Sequence, residues 1–507
     1  MIVGNYYKYV FEWKKAKYRK RKDRSMRRTT IIMFIVLILT LGGTCLAAVN
    51  IYDTRDEVTL TKISDWGSKE LLNGLSMQLH MTYMDRLHWN TVIPMDHMEN
   101  AATEYDFSIR PVYADWNRYT GLTMDTSIWM SDFLADNGNI AENAEGLGQI
   151  YQELAEITDS NKETKREIWL KDYIDYYHYN IEIDIPGTKI DSRVNSSHKI
   201  MVQEQEKYAM QKLREFFKIP VLEEEHWQVS LGKDENGNII HSGSSNGSSD
   251  FFYMWTFNAI ARDCCYFTFG SHSEEGVVMD TSQIPGGYGI YYLPYDGTLE
   301  GKEETADKIS IDVDGLKMVY SLEPEIDVMH LHLNEKMDKL ILHAEEYGEY
   351  VVTVIDVATM ETLQKISVMD WDKDYGYQIY DEEDFIVTTV HKTQEEGKIE
   401  AVVIDENENR EYEVAFICDI QNKELPSFNT SMMYLNFDGK RLAMSGFMEE
   451  EEQGYQETCN VFLAVCDASG MQYYGEYRNS LETGYDADRY NFRCQGGGLE
   501  PIVLKWK

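Results

Sequence analysis

Toward its C-terminal end the chain repeats one arrangement of short apolar runs separated by acidic or glycine-bearing turns. One copy runs Val328–Leu333, Lys339–His343, Tyr350–Asp356 and Leu363–Val368. A second runs Tyr377–Tyr380, Phe385–His391, Ile399–Asp405 and Glu411–Cys418, and a third Met432–Phe437, Arg441–Phe447, Val461–Asp467 and Met471–Tyr477. The third run of each copy ends in Asp356, Asp405 and Asp467, at intervals of 49 and 62 residues. The longer interval holds a Glu-rich insertion after Phe447. Four strand-like segments at a period of roughly 45 residues predict propeller blades. An ordinary β-sandwich is the alternative.

Upstream the strand pattern is less regular. Leu75, Met77, Leu79, Met81 and Tyr83 alternate with polar residues, a period of two. Trp227–Leu231 and Ile239–His241 flank a hairpin-like Lys233–Asn238, and Ile290–Leu293 and Leu316–Leu322 read as further strands. Two helical patterns interrupt them. One is Ile140–Ile157, with Leu147, Ile150 and Leu154 on one face; the other is Val202–Phe217, with Tyr208, Met210, Leu213 and Phe217. Gly243–Asp250 (GSSNGSSD) reads as an exposed, linker-like loop. The expected fold is mainly β: a propeller-like repeat domain of about seven blades, using roughly 315 residues, with two helical insertions.

One segment departs from all of this. Thr30–Val49 (TIIMFIVLILTLGGTCLAAV) carries no charge, and twenty helical residues at ~1.5 Å each span ~30 Å, the hydrocarbon thickness of a bilayer. The first 28 residues hold 11 Lys/Arg against Glu12 and Asp23, whereas the twenty residues after the segment carry only Arg55, Lys62 and Lys69. The positive-inside rule then predicts a cytoplasmic N-terminus and an extracytoplasmic remainder. A cleavable signal peptide and a lipoprotein signal at Cys45 fit less well: Ala-x-Ala is missing before Asn50, and Gly42 and Thr44 suit a lipid-attachment box poorly. The expected organisation is a basic cytoplasmic tail (1–29), one transmembrane helix (30–49), an N-terminal part of the β-rich ectodomain with the helical insertions (50–325), and C-terminal blades (326–507) continuous with it.

Charge narrows the partners. The chain of 507 residues has a formal net charge of -39, and without its first 28 residues it holds 37 bases against 85 acids. That balance argues against nucleic acid and anionic lipid as partners of the ectodomain, although the basic tail can touch the inner leaflet. Nine prolines and 43% apolar residues allow a sizeable core and argue against global disorder.

The stretches EIWLKDYIDYY (Glu167–Tyr177) and GYGIYYLPYDG (Gly287–Gly297), with the blades up to LQKISV, resemble uncharacterised membrane-anchored, propeller-like surface proteins of Gram-positive bacteria. The resemblance covers Trp66 onward and rests on structural motifs. It implies an extracytoplasmic sensor or scaffold and transfers no active-site residue.

Candidate chemistry is sparse. The turns between second and third runs are acidic: Glu345-Glu346, Glu395-Glu396, and Glu449-Glu450 with the two acids after them. On a propeller these turns share one rim, which could attract a cationic or proteinaceous ligand or Ca²⁺, or could simply be solvated charge. Asp370, Asp372 and Asp374 have the alternate-carboxylate spacing of a Ca²⁺ loop. Gly376 comes one place too late for that loop, however, and its twelfth position is Asp381 rather than a bidentate Glu. His330 and His332 lie on one side of a strand, and pairing residue 330 with residue 343 would gather three imidazoles, as Zn²⁺ needs. A slip of one residue would disperse them, and half-buried histidines between blades are the ordinary outcome. Beyond Cys45, the six cysteines at 264, 265, 418, 459, 466 and 494 allow 15 disulfide pairings, with free buried thiols the default.

No Cys-x-x-Cys, Gly-x-Ser-x-Gly or His-Glu-x-x-His occurs, and Gly286–Gly289 precedes no phosphate-binding helix. The expectation is therefore a non-enzymatic, anchored binding module with no cofactor beyond a possible Ca²⁺. The alternative is a surface hydrolase or lyase acting on polysaccharide, since propellers also host such sites.

Overall fold

The computed structural model describes residues 30–46, 49, 59–83, 87–107, 121–125, 147–177, 180–185, 188–191, 204–246, 253–272, 279–296, 310–382, 385–392, 397–421, 433–449, 457–479, 492–493 and 502–506. They form a mainly β protein of seven antiparallel sheets. Three of these are the repeat copies. The first consists of Asp327–Leu333, Lys339–Glu346, Glu349–Asp356 and Thr362–Asp370; the second of Gly376–Asp381, Phe385–Lys392, Lys398–Glu406 and Tyr412–Gln421. The third comprises Tyr434–Phe437, Leu442–Glu449, Glu457–Asp467 and Gly470–Asn479.

The middle strands are largely apolar runs because both of their faces are buried. Phe385–Val390 and Ile399–Ile404 are buried without a break, whereas the outer strand Thr362–Asp370 alternates. Each face packs against a different neighbour. Ile386, Val402 and Ile404 join Met329, Ile341 and Val352 of the preceding sheet, while Val387, Ala401 and Val403 join Leu442, Met444 and Phe462 of the next. Asp356 and Asp467 end their third strands as turn formers, whereas in the second copy the strand runs on to Glu406 and Asn407 forms the turn. Asp356 Oδ1 accepts the Thr359 N–H at 2.8 Å and Asp467 Oδ1 the Ser469 N–H at 2.7 Å. Polar ties also cross the seams: Lys339 Nζ donates to Glu406 Oε1 at 2.7 Å, and Gln364 Oε1 accepts the Tyr412 N–H at 2.9 Å.

Distant segments complete the first and last of the larger sheets. Leu60–Gly67 adds an outer strand to the third copy by pairing with Gly470–Asn479. Ile502–Trp506 pairs with Leu75–Leu79, completing the sheet of Leu75–Tyr83, Leu87–Pro94 and Ala102–Phe107, and lies beside Tyr434–Phe437. Ile502 and Leu504 enter one core with Leu75, Met77, Leu79, Leu463 and Val465. The alternating residues Leu75, Met77, Leu79 and Met81 are all buried, as their period requires.

Between these ends lies a sheet of Tyr253–Ile260, Cys264–His272, Gly289–Asp296 and Lys317–Ser321, with Ser310–Ile311 on the third strand. The two remaining sheets have three strands each and interleave in sequence, so they are not successive repeat units. One is Gly121–Asp125, Asn180–Ile185 and Thr188–Asp191; the other is Glu163–Trp169, His226–Lys233 and Ile239–Asn246. Both helices, Leu147–Ile157 and Glu204–Phe216, pack into the core of this region through Ile150, Leu154 and Leu213, with Phe217 just beyond the second helix.

Two sequence readings change here. Tyr208 is exposed rather than part of the helix core stripe, and its hydroxyl donates to Asp314 at 2.9 Å, a partner that helical periodicity cannot reveal. Gly243–Asn246 is strand rather than loop: it pairs with Trp227–Ser230 at a sheet edge, where backbone bonds suffice and small polar side chains are tolerated. The first helix is described from Leu147, and residues 140–146 lie outside the described residues, as do 247–250.

Residues 30–46 are helical with their apolar side chains exposed, from Ile31 to Leu46. Among the described residues no helix is long and apolar enough to cross a membrane. The basic segment 1–29 lies outside the described residues. Cys264, Cys265, Cys418 and Cys466 are buried free thiols, and burial pushes the Cys264 and Cys265 thiols up to about 12.

Candidate functional site: a histidine–aspartate cluster at a sheet seam

In the strand Asp327–Leu333, residues two apart share a face, which sets His330 beside His332. A register shift between Val328 and His330 brings His330 directly opposite His343 on the adjoining strand. The three imidazoles gather with ring centroids 5.2 to 5.9 Å apart. Asp381, at the end of the first strand of the next sheet, reaches across the seam. Its Oδ2 lies 3.4 Å from His332 Nδ1 and 3.7 Å from His330 Nε2. The ligand atoms of His330, His332 and Asp381 all lie within 4.8 Å of one another, the single such group of three among the described residues.

Behind this group runs a buried polar chain. His343 Nε2 lies 3.2 Å from His332 Nε2, His343 Nδ1 lies 2.7 Å from the Tyr350 hydroxyl, and that hydroxyl lies 2.8 Å from Thr388 Oγ1. His343, Tyr350 and Thr388 are fully buried, while Asp381 keeps a side-chain exposure of 40%. A cavity of about 170 Å³ borders His332 and Asp381 and is lined also by Glu382, Phe385 and Tyr412.

Burial lowers His332 despite the neighbouring Asp381, and lowers His343 much further, helped by the other two imidazoles. Both rings are therefore neutral near pH 7. For Asp381, burial works toward a higher value but is outweighed by His330 and His332, so the carboxylate stays ionised. His332 and Asp381 thus offer a neutral imidazole and an anionic oxygen side by side.

The sequence pointed to the imidazole gathering but not to Asp381 as its fourth member. Residue 381 follows residue 332 by 49 positions, the same interval that separates Asp356 from Asp405. In strand register, however, Asp381 corresponds to Leu333 and His332 to Tyr380, so the repeat does not mark Asp381 as a partner of His332.

The carboxylates singled out in the sequence lie elsewhere. Asp372 Oδ1 accepts the Asp374 N–H at 3.1 Å in a local turn, and Asp370 ends the strand Thr362–Asp370; the three aspartates do not form a convergent group. Of the acidic rim, Glu345 Oε1 accepts the Gly348 N–H at 2.6 Å, and Glu346 is buried and paired with Lys365. Tyr347 and Gly348 both adopt positive φ, 54° and 85°, as a tight two-residue hairpin turn needs. Glu449 ends a strand, while Glu395, Glu396 and Glu450 lie outside the described residues.

No family model matches the chain, and no curated protein matches it. Solved structures that resemble it do so distantly. Kuenenia stuttgartiensis hydrazine synthase is 10% identical with a TM-score of 0.22, covering 49% of this chain and 60% of that one. The Dos1 propeller is 10% identical with a TM-score of 0.22, covering 52% and 67%. A putative 6-phosphogluconolactonase from Bacteroides fragilis is 8% identical with a TM-score of 0.27, covering 85% and 98%. The chain thus spans about 60% of the hydrazine synthase chain it matches. Likenesses at these TM-scores carry no argument about activity.

Proposed function

We propose that this chain is a single-pass, membrane-anchored extracytoplasmic module that binds a cationic or proteinaceous ligand in sensing or scaffolding, without catalysis. The observation that carries the proposal is the segment at residues 30–46: a helix whose apolar side chains are exposed, preceded by a strongly basic stretch. Large exposed apolar surface of that kind calls for a lipid or protein cover, and the charge asymmetry orients it with the sheets outside. The rest of the chain is acidic, which favours basic partners through long-range steering. On this reading the module is propeller-like. The five sheets of four or more strands are its blades, and the two interleaved three-stranded sheets with the helices fill the remaining sector.

The test is fractionation of cells producing the full chain, followed by protease treatment of intact protoplasts. The expected result is an alkali-resistant membrane protein whose sheet region is digested from outside while the basic tail is protected. Recovery in the soluble fraction, or protection of the sheet region, would overturn the proposal.

A further inference from the structure

We propose that His330, His332 and Asp381 form a divalent-metal site of the zinc class, with His343, Tyr350 and Thr388 positioning His332. The distances fit a metal better than a proton as the shared ligand. A charge-assisted N–H···O bond is ~2.7–2.9 Å long, whereas two donors on a tetrahedral ion with bonds of ~2.0–2.2 Å lie roughly 3.4 Å apart. The observed separations of 3.4 and 3.7 Å are long for a hydrogen bond and suit an ion between the groups.

A second observation points the same way. His330 Nε2 is buried and has no hydrogen-bond partner. Buried polar atoms left unpaired are rare, and a metal ion would supply the missing partner.

The His343–Tyr350–Thr388 chain has the right polarity for a metal. If His332 binds through Nδ1, its proton resides on Nε2 and donates to His343 Nε2. His343 then carries its own proton on Nδ1 and donates to the Tyr350 hydroxyl, which donates to Thr388 Oγ1. Each group donates once toward the interior, the arrangement by which outer partners fix the tautomer of a metal-binding imidazole. Three protein donors leave one tetrahedral position open, and the cavity beside His332 and Asp381 gives water or a small anion a way in. The site joins two sheets, so an ion there would also clamp their seam. This inference does not depend on how the chain is anchored.

The experiment uses the full chain in detergent, stripped with chelator and titrated with Zn²⁺, with Co²⁺ as the spectroscopic probe. The expected result is one Zn²⁺ per chain, visible Co²⁺ absorption that Zn²⁺ displaces, and an unfolding midpoint that rises with metal. Asp381→Asn and His330→Gln, both at partly exposed side chains, should each weaken binding at least tenfold with unchanged far-ultraviolet circular dichroism. Tyr350→Phe should weaken it about 10–100-fold while keeping the Co²⁺ band shape, the signature of a positioning residue. Absence of stoichiometric binding, or full affinity in the Asp381→Asn/His330→Gln double variant, would overturn the proposal.

Discussion

Replacing Leu504 with alanine tests whether the strand Ile502–Trp506 holds the first sheet to the last. Leu504 is 3% exposed and packs in one core with Leu75, Met77, Leu463 and Val465. Truncating a leucine in such a place removes its transfer free energy and leaves a cavity, together about 3 kcal/mol. Set against a typical native stability of ~5–15 kcal/mol, that is a large fraction from one side chain. The adjacent Lys505 points outward, and only its backbone is engaged, its carbonyl accepting from Ser76 Oγ at 3.2 Å. Lys505→Ala should therefore shift stability by no more than about 0.5 kcal/mol. Urea unfolding of the full chain, followed by tryptophan fluorescence, measures both changes from the transition midpoints. Equal shifts for the two variants, or a Leu504→Ala cost below about 1 kcal/mol, would refute the burial argument and the pairing with Leu75–Leu79.

Two further outcomes follow from buried charges. Glu225 is 1% exposed, and burial raises its pKa although the Tyr177 hydroxyl and Trp227 Nε1 donate to it. The folded chain keeps that proton where the unfolded chain, near the ordinary value of ~4.3, has released it, so stability falls as pH rises from there through the raised folded value. Glu225→Gln should remove this slope in unfolding midpoints measured across the window; parallel profiles for variant and parent would count against it. Lys339, 8% exposed at its side chain, is tied to Glu406 across a seam, so Lys339→Met should cost about 2 kcal/mol, discounted because Glu406 is partly exposed and retains Arg410. Chemical unfolding of Lys339→Met and of Lys339→Met/Glu406→Leu should show the second change restoring stability; a further loss would contradict the pairing.

Where local pattern carries the information, the sequence is readable. Strands such as Phe385–Lys392 stand out because burial on both faces makes them largely apolar, and in the first and third copies an aspartate marks the turn after the third strand. Pairing over long distances leaves no such mark, which is why Ile502–Trp506 cannot be assigned to Leu75–Leu79 from its residues alone. Gly243–Asn246 misleads because serine and glycine signal turns, while an edge strand needs only a partner's backbone. At the candidate site the histidines are legible from spacing plus one register assumption, which the pairing of His330 with His343 matches. Asp381 is not legible locally. It stands on the next sheet, and only the packing of the two sheets brings it to His332.

The pairing of Leu75–Leu79 with Ile502–Trp506 also imposes an order in time. Residue 502 follows residue 83 by 419 positions. At ~5–20 residues per second, synthesis of the intervening chain takes roughly 20–80 s. Throughout that interval one edge of Leu75–Tyr83 has no strand to pair with, and such edges invite pairing with other chains. A ribosome-bound or prematurely ended chain thus displays an open edge that a finished one conceals, giving holdases and proteases a structural means of telling the two apart.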